Sequence, residues 1–600
     1  MLELLAQLAG LLNPVTCAEK LEKILKARPD PVLNAPGTDA LQLTVVWHRW
    51  LFDAIRPDPE AQDEDGQAKR PVLCGLNFVN DEIYYLASGN DLNDLMASMN
   101  CAAPGEAKRH PETLEDVLAC LLEMIRHPER EGKYRPADTL VGQLREAASE
   151  AGLESVHLLG GAAGNMAYAL SHLGWPTTVH GPYHAEGLNW SELHRSARFM
   201  NLDPADAPFS QAAEAVAGLP CKTTVGFQIS PTWTHDGLKV TADRAARALF
   251  IGKNPVIPGK PPARQKVRIH AQGKDPEWER EPNTGWPDPG TFSSIAANGS
   301  NLDIVLPDQS DMKRTLDRAD APIALAILGG LGGVLDQGVL NDMQVRQIAG
   351  LRSCGIAVHT EVSGRCNFTL LKSLIDQAEG DAPSGPRKWS IGLNQEDIAE
   401  ITGTLRGASR KYREQEPLDT LFAPRGGDES LFRRFLRARH LLQRLDVSWV
   451  YVHGNDLDIA VWNDEALPGA GARLRQAMLL AKGAVIAGMI RRLVPPALMP
   501  FVQAHLRDTA IAAGGLGALV RFAEDIARWQ TPIPMSGKVD RPAERKLARR
   551  FLEQDGYVVC RDGTGVAAAP VYWPEAVAPY LSATGAGDIT SAIVAASMWA

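Results

Sequence analysis

Two hydrophobic periods divide the chain. Up to about Ile55, apolar residues return every three or four positions, the spacing of amphipathic helices. From Pro71 the period changes. PVLCGLNF is a short apolar run of strand length, and from Ser155 onward similar runs alternate with amphipathic helical stretches. The strand-like runs are VHLLG before Gly161, TTVHG after Trp175, IALAILGG, IAVHTEV, KWSIGL and WVYVHG. Such alternation predicts an α/β class protein with a doubly wound, mainly parallel sheet covered by helices on both faces.

Two stretches break the pattern. Arg56 to Lys69 (RPDPEAQDEDGQAK) is acidic, poor in apolar residues and Pro-bearing, which reads as a solvated linker. Between about Cys221 and Ser300, TTVGFQIS and ARALFIG are strand-like, and the Pro/Gly-rich loops PVIPGKPPAR and EPNTGWPDPG interrupt them. That segment reads as a β-rich insertion, and a lid is one natural use for it. The expected division is a helical extension and linker over 1–70 and a first part of the large α/β domain over 71–220, with lid elements near 87–135. A β-rich lid over 221–305 and the remainder of the large domain over 306–600 complete it.

Composition narrows the classes. The chain has 600 residues, 22% charged and 45% hydrophobic, with 53 Gly and 41 Pro, which suits an ordinary folded protein and excludes collagen, coiled coil and disorder. Its net charge of −10 repels polyanions, so nucleic acid is not an expected partner. Apolar runs such as APIALAILGGLGGVL stop short of the ~18 residues that span a bilayer, so no membrane span is expected. MLELLAQLAGLLNPVTCA lacks a basic start and carries Glu3, which favours an amphipathic helix over a signal peptide. Eight scattered cysteines without a CxxC pair read as reduced thiols of a cytoplasmic protein.

Candidate chemistry gathers at predicted strand ends, where open α/β sheets bind ligands. In LSATGAGDITSAIVAASMWA, Thr584 can cap a helix running from about Asp588, and Gly585, Ala586 and Gly587 form the turn before it. A Gly-rich turn at a helix N-terminus offers backbone N–H groups and a positive dipole end to an anion, with Asp588 beside it. The same residues also suit a turn and a dipole partner with no ligand. His359-Thr360-Glu361 closes the strand-like GIAVH, Asn394 and Asp397 follow KWSIGL in a capping-box-like spacing, and His453 ends VYVHGND.

In order along the chain, these segments resemble the ADP-dependent sugar kinases, the glucokinase and phosphofructokinase family of the ribokinase-like superfamily. Asn77 and Asp81 in GLNFVND match its Asn-x-Asn-x-Asp strand end, with Val79 departing at the second Asn. Gly160-Gly161-Ala162-Ala163-Gly164 resembles Gly-Gly-Gln-Ala-Gly, with Ala162 in place of Gln. ADRAARALFIG resembles the family's Arg-bearing stretch and leaves Arg244 and Arg247 open. His359-Thr360-Glu361 matches His-x-Glu, Asn394 and Asp397 resemble Asn-x-x-Glu with a shorter acid, and Gly585 to Asp588 match Gly-x-Gly-Asp.

The resemblance implies a ribokinase-like sheet domain with a smaller lid and Mg2+-dependent transfer of a phosphoryl group from ADP to a hydroxyl of glucose or fructose 6-phosphate. Asp588 would be the general base and the Gly585–Gly587 amides the anion hole. Asn77, Asp81, Gly160 and Gly161 would meet the sugar, with Arg244 or Arg247 as a phosphate clamp. Asn394 and His453 would meet the nucleotide, and Glu361 and Asp397 the metal. Two other readings stay open: an ATP-dependent kinase of the same fold, to whose wording ATGAGD is closer, and an inactive sugar- or nucleotide-binding relative. Gly329-Gly330-Leu331-Gly332-Gly333 lacks the GxGxxG spacing of a dinucleotide loop.

Overall fold

The computed structural model describes residues 70–75, 78–86, 89–127, 132–137, 139–180, 190–193, 197–199, 223–229, 232–235, 238–241, 246–252, 266–268, 277–279, 323–329, 342–362, 366, 368–380, 382, 385–395, 397–399, 401–402, 431–454, 457–487, 514–530, 546, 548, 551, 556–560, 562–570 and 585–600. Asn77, Arg244 and Thr584, and the whole expected extension over 1–69, lie outside them.

The elements, in chain order, begin with β1 (Val72–Gly75), β2 (Val79–Leu86), α1 (Gly89–Ser98), α2 (Leu114–Arg126), β3 (Gly132–Tyr134) and α3 (Leu140–Glu150). Next come β4 (Ser155–Gly160), α4 (Gly161–His172), β5 (Thr177–His180), β6 (Arg198–Phe199), β7 (Thr223–Ile229), β8 (Thr232–His235), β9 (Leu238–Thr241) and β10 (Ala246–Ile251). β11 (Lys266–Arg268), β12 (Glu277–Glu279), β13 (Leu325–Gly329), α5 (Asp342–Ser353), β14 (Ala357–Glu361), α6 (Phe368–Gly380) and β15 (Trp389–Asn394) follow. The last are α7 (Leu431–Leu445), β16 (Trp449–His453), β17 (Leu457–Asn463), α8 (Ala470–Ala487), α9 (Gly514–Gln530), β18 (Tyr557–Val559), β19 (Thr564–Pro570) and α10 (Ala586–Trp599).

The large sheet runs β18-β19-β17-β16-β15-β14-β13-β1-β5-β6. It is parallel from β16 to β6 and turns antiparallel at β17, β19 and β18. Alternation along each strand decides what each face meets. Trp449, Tyr451, Ala460 and Trp462 share one buried cluster with residues of α4, α8 and α10. Val450, Val452, Ile459 and Val461 share another with α5, α6, α7 and α9. A sheet covered on both faces needs near-continuous apolar strands, which is why these runs were readable as strands.

A five-stranded sheet, β3-β10-β7-β2-β4, carries the smaller layer, with α1, α2 and α3 packed on one face over Tyr84, Leu86, Phe227, Ala248 and Phe250. α2 starts with a full capping box between Thr113 and Asp116. VHLLG is β4 of this sheet, antiparallel to β2, and not a strand of the parallel sheet as its apolar run suggested. The smaller sheet therefore draws on more of the chain than the 221–305 insertion and the 87–135 elements. The two sheets exchange the chain twice near the site: between β1 and β2, and at the Gly160-Gly161 peptide, where β4 hands over to α4.

Gly329, the first glycine of the run considered as a dinucleotide loop, ends β13 where α4 crosses it. A Cβ built there would stand 2.6 Å from the Ala162 methyl and 3.0 Å from the Ala163 nitrogen. The small residue at 162 thus belongs to a close helix-on-strand approach. Gly329→Val is expected to destabilise the fold by ~1–3 kcal/mol, the range of core overpacking; thermal unfolding of the variant, with an unchanged midpoint as the contrary result, checks this.

Candidate active site

The residues singled out at strand ends converge on the first turn of α10. Gly585 stands at its N-cap with φ 84 and no side-chain cap, and Ala586 opens the helix. The expected start near Asp588 therefore lies two residues earlier. Gly585 must be left-handed to turn the chain into the helix, a conformation that costs glycine nothing. Gly161 does the same at the start of α4 with φ 78, and α4 packs on α10.

Asn165, in the second turn of α4, donates from Nδ2 to Asp588 Oδ2 at 3.0 Å and lies against Gly585. Asn165 directly follows the Gly160–Gly164 segment and was missed in the sequence. Its signal is its place one turn into a helix that opens on two glycines. On the other side of Gly160, Asp81 of β2 holds its carboxylate against the Gly160 Cα, where any Cβ would overlap it. Asp81 thus packs at the N-cap of α4, and Asn165, further along the same helix, makes the contact to Asp588.

The period of two sends His359 and Glu361 of β14, Ser390 and Gly392 of β15, and Tyr451 and His453 of β16 toward α10. Glu361 reaches across to β16, and its Oε1 is 2.7 Å from His453 Nε2. Burial works against a charge on His453, but the adjoining Glu361 carboxylate outweighs it, and the net shift is upward. The His453 ring packs on the Cα of Gly587, beside the backbone turn of α10.

His359 plays a different part. It is fully buried, with Nδ1 2.9 Å from Ser390 Oγ and Nε2 2.8 Å from Ser591 Oγ, and it stacks on Trp449. Burial pushes it down to about 4, so its 4.0 Å approach to Glu361 is not an ion pair. In His359-Thr360-Glu361 the histidine is a neutral bridge between β14, β15 and α10, and the glutamate pairs with His453. Ser591, three residues after Asp588, was missed because one helical turn brings it back onto the same face.

Glu361 Oε2 is buried and has no hydrogen-bond partner among the described residues. An orphaned carboxylate oxygen costs free energy unless a cation or water meets it, and a hard oxygen of this kind suits Mg2+. Asn394 Oδ1 accepts from Asp397 N at 2.6 Å, the N-cap arrangement its spacing suggested, ahead of the helical residues 397–399. Among the described residues no group of three His, Cys, Asp or Glu side chains could hold a metal ion. The donor set fits a metal that keeps most of its waters.

Arg247 does not join this group. It lies on β10, buried at 7% exposure, and its guanidinium bonds Gln228 Oε1. Register places Arg247 opposite Gln228 and Gln228 opposite Tyr85, four residues along β2 from Asp81, or roughly 13 Å at ~3.3 Å per residue. The structure brings together Asp81, Gly160, Gly161, Asn165 and Gly585–Asp588, and beside them His453 and Glu361.

The described cysteines are all free, and among the described residues no helix is long and apolar enough to cross a membrane. No family model matches the chain and no curated protein matches it in sequence. Solved structures do match. An ADP-dependent kinase in complex with fructose-6-phosphate and ADPβS aligns at TM-score 0.55 and 14% identity, over 92% of this chain and 97% of its own. A last common ancestor of ADP-dependent phosphofructokinases from Methanosarcinales aligns at TM-score 0.50 and 15% identity, over 92% and 98%. With its two-faced, mainly parallel sheet, its smaller five-stranded sheet and its glycine-led helix at Ala586–Trp599, the chain shares the fold of these ADP-dependent kinases.

Proposed function

We propose that the protein transfers the terminal phosphoryl group of ADP to a hydroxyl of a hexose or hexose phosphate, glucose or fructose 6-phosphate, with Mg2+. The observation that supports this reading is that α4 carries both contacts: Asp81 packs on Gly160 at its N-cap, and Asn165, five residues on, donates to Asp588 at the head of α10, so that candidate hydroxyl-binding groups, a base and a helix N-terminus share one helix.

The acceptor hydroxyl oxygen attacks the β-phosphorus of ADP, the bond from phosphorus to the bridging oxygen breaks, and AMP leaves. The hydroxyl proton passes to Asp588. A carboxylate suits that step if it stays ionised and aimed, and the Asn165 amide serves both needs by donating to Oδ2. The Gly585–Gly587 amides meet charge on the transferring group, and the His453 ring lies behind Gly587. Asp81, with Asn77, orients the sugar. When bound, Mg2+ neutralises phosphate charge, and Glu361 Oε2 is the oxygen that would hold it, with Asp397 one methylene too short for the family's glutamate and better suited to a bridging water. The lid excludes water, so that hydrolysis does not compete.

ATGAGD is closer to ATP-dependent relatives, so ADP and ATP are assayed against free and phosphorylated hexoses with magnesium present. Preference for ADP supports the reading, preference for ATP moves the protein to the other branch, and binding without turnover makes it an inactive relative. Asp588→Asn is expected to fold and bind nucleotide while losing at least ~10²-fold in turnover; near-wild-type turnover would remove Asp588 from the mechanism. Glu361→Gln is expected to raise the magnesium concentration for half-maximal rate, and an unchanged requirement would return Glu361 to a structural role.

A further inference from the structure

We propose that a buried ion pair between Asp458 and Lys482, together with Tyr451, is a positioning unit that holds the nucleotide-phosphate end of the site in register, a role that rests on the kinase reading above. Asp458, on β17, and Lys482, on α8, have side chains exposed by 0% and 7% and meet at 2.9 Å. The same Asp458 oxygen accepts from the Tyr451 hydroxyl at 2.5 Å, and its other oxygen accepts from the backbone nitrogen of Gly454 at 2.9 Å. Three donors on one carboxylate leave neither oxygen unsatisfied, which is the condition for keeping a charge in the core.

Both ends of this network lead to the site. Gly454 follows His453, so Asp458 fixes the turn that carries the His453–Glu361 pair. Tyr451 lies within hydrogen-bonding reach of Thr590, and the Thr590 hydroxyl donates to the Gly587 carbonyl at 2.9 Å in the first turn of α10. His453 in turn packs on Gly587. The β16–β17 turn and the anion-binding turn of α10 are therefore referenced to one buried carboxylate.

Stability alone does not account for the arrangement. Well-packed apolar residues commonly replace a buried ion pair at no loss of stability, whereas removing one partner strands the other charge. Apolar side chains could fill the space between β17 and α8. They could not hold a backbone N–H and a phenol hydroxyl at the same time. The unit thus supplies alignment, and an error of about 1 Å in alignment can cost ~10²-fold in rate.

The test compares Lys482→Met, the apolar double variant Asp458→Leu/Lys482→Met, and Tyr451→Phe with the wild type. Thermal midpoint, turnover, and KM for nucleotide and acceptor are measured separately. Lys482→Met is expected to lower the midpoint, and the double variant to recover part of it, the remainder being due to the Gly454 and Tyr451 donors left without Asp458. Turnover of the double variant should stay about tenfold or more below wild type with a raised nucleotide KM, while acceptor KM stays within about twofold. Tyr451→Phe keeps the ring and should show the same split if the double variant does not fold. A recovered double variant with wild-type turnover and nucleotide KM overturns the inference, as does a parallel rise in both KM values or an unaffected Tyr451→Phe. A wild-type chain that phosphorylates no acceptor overturns the kinase reading and this inference with it; an active wild type matched by its variants overturns this inference alone.

Discussion

The first turn of α10 has to satisfy opposing demands. On the proposed mechanism it must leave backbone N–H groups available to a phosphoryl group, and it must do so at the head of a helix that is buried from Ala586 to Met598 almost without interruption. A helix N-terminus in the core would ordinarily be capped by a side chain. Here the N-cap is a left-handed glycine with no side-chain cap, which on the proposed function leaves that position to a ligand. The surroundings keep that turn in place by other means: Asn165 from α4, the His453 ring from β16, Ser591 bound to His359, and the Thr590 bond to Gly587. None of these contacts uses up a backbone N–H of residues 585–587.

Electrostatics follows from the same turn. On the kinase reading proposed above, a chain of net charge −10 needs local positive potential to meet anionic substrates. The described sources are two helix N-termini, at Gly161 and Ala586, and the His453 side chain, whose charge depends on its carboxylate partner. Lys482 is close by but neutralised by Asp458, so it shapes the site more than it charges it. Arg247, the lid arginine that looked suited to a clamp, is occupied by Gln228 in the smaller sheet.

Much of this was legible in the sequence because local periodicity carried it. Each apolar run from PVLCG to WVYVH is a strand, since a sheet covered on both faces leaves no polar positions to blur the signal. The assignment of VHLLG to the wrong sheet shows the limit: an apolar run marks a buried strand and says nothing of its neighbours. Asn394 likewise announced its capping of 397–399, a bond within four residues. The pairs that organise the site join residues far apart in the chain, as Glu361 with His453, Asn165 with Asp588, and Asp458 with Lys482. No spacing encodes them. The His-x-Glu motif was read as one unit, and only the fold divides it between a neutral bridge and a charged partner.

Of the places where the chain passes between its two sheets, two lie near the site, after β1 and at the Gly160-Gly161 peptide, and Asp81 packs against the second of them. In mechanical terms Asp81 and Gly160, the residues proposed to meet the acceptor hydroxyls, stand at the pivot of a pair of jaws. A rotation of the smaller sheet would sweep β10 and the far end of β2 through a wide arc while displacing Asp81 and Gly160 least. An acceptor could therefore keep its first contacts through opening and closing, and the angle between the sheets would govern access of water and the fit of whatever the acceptor carries at its distal end.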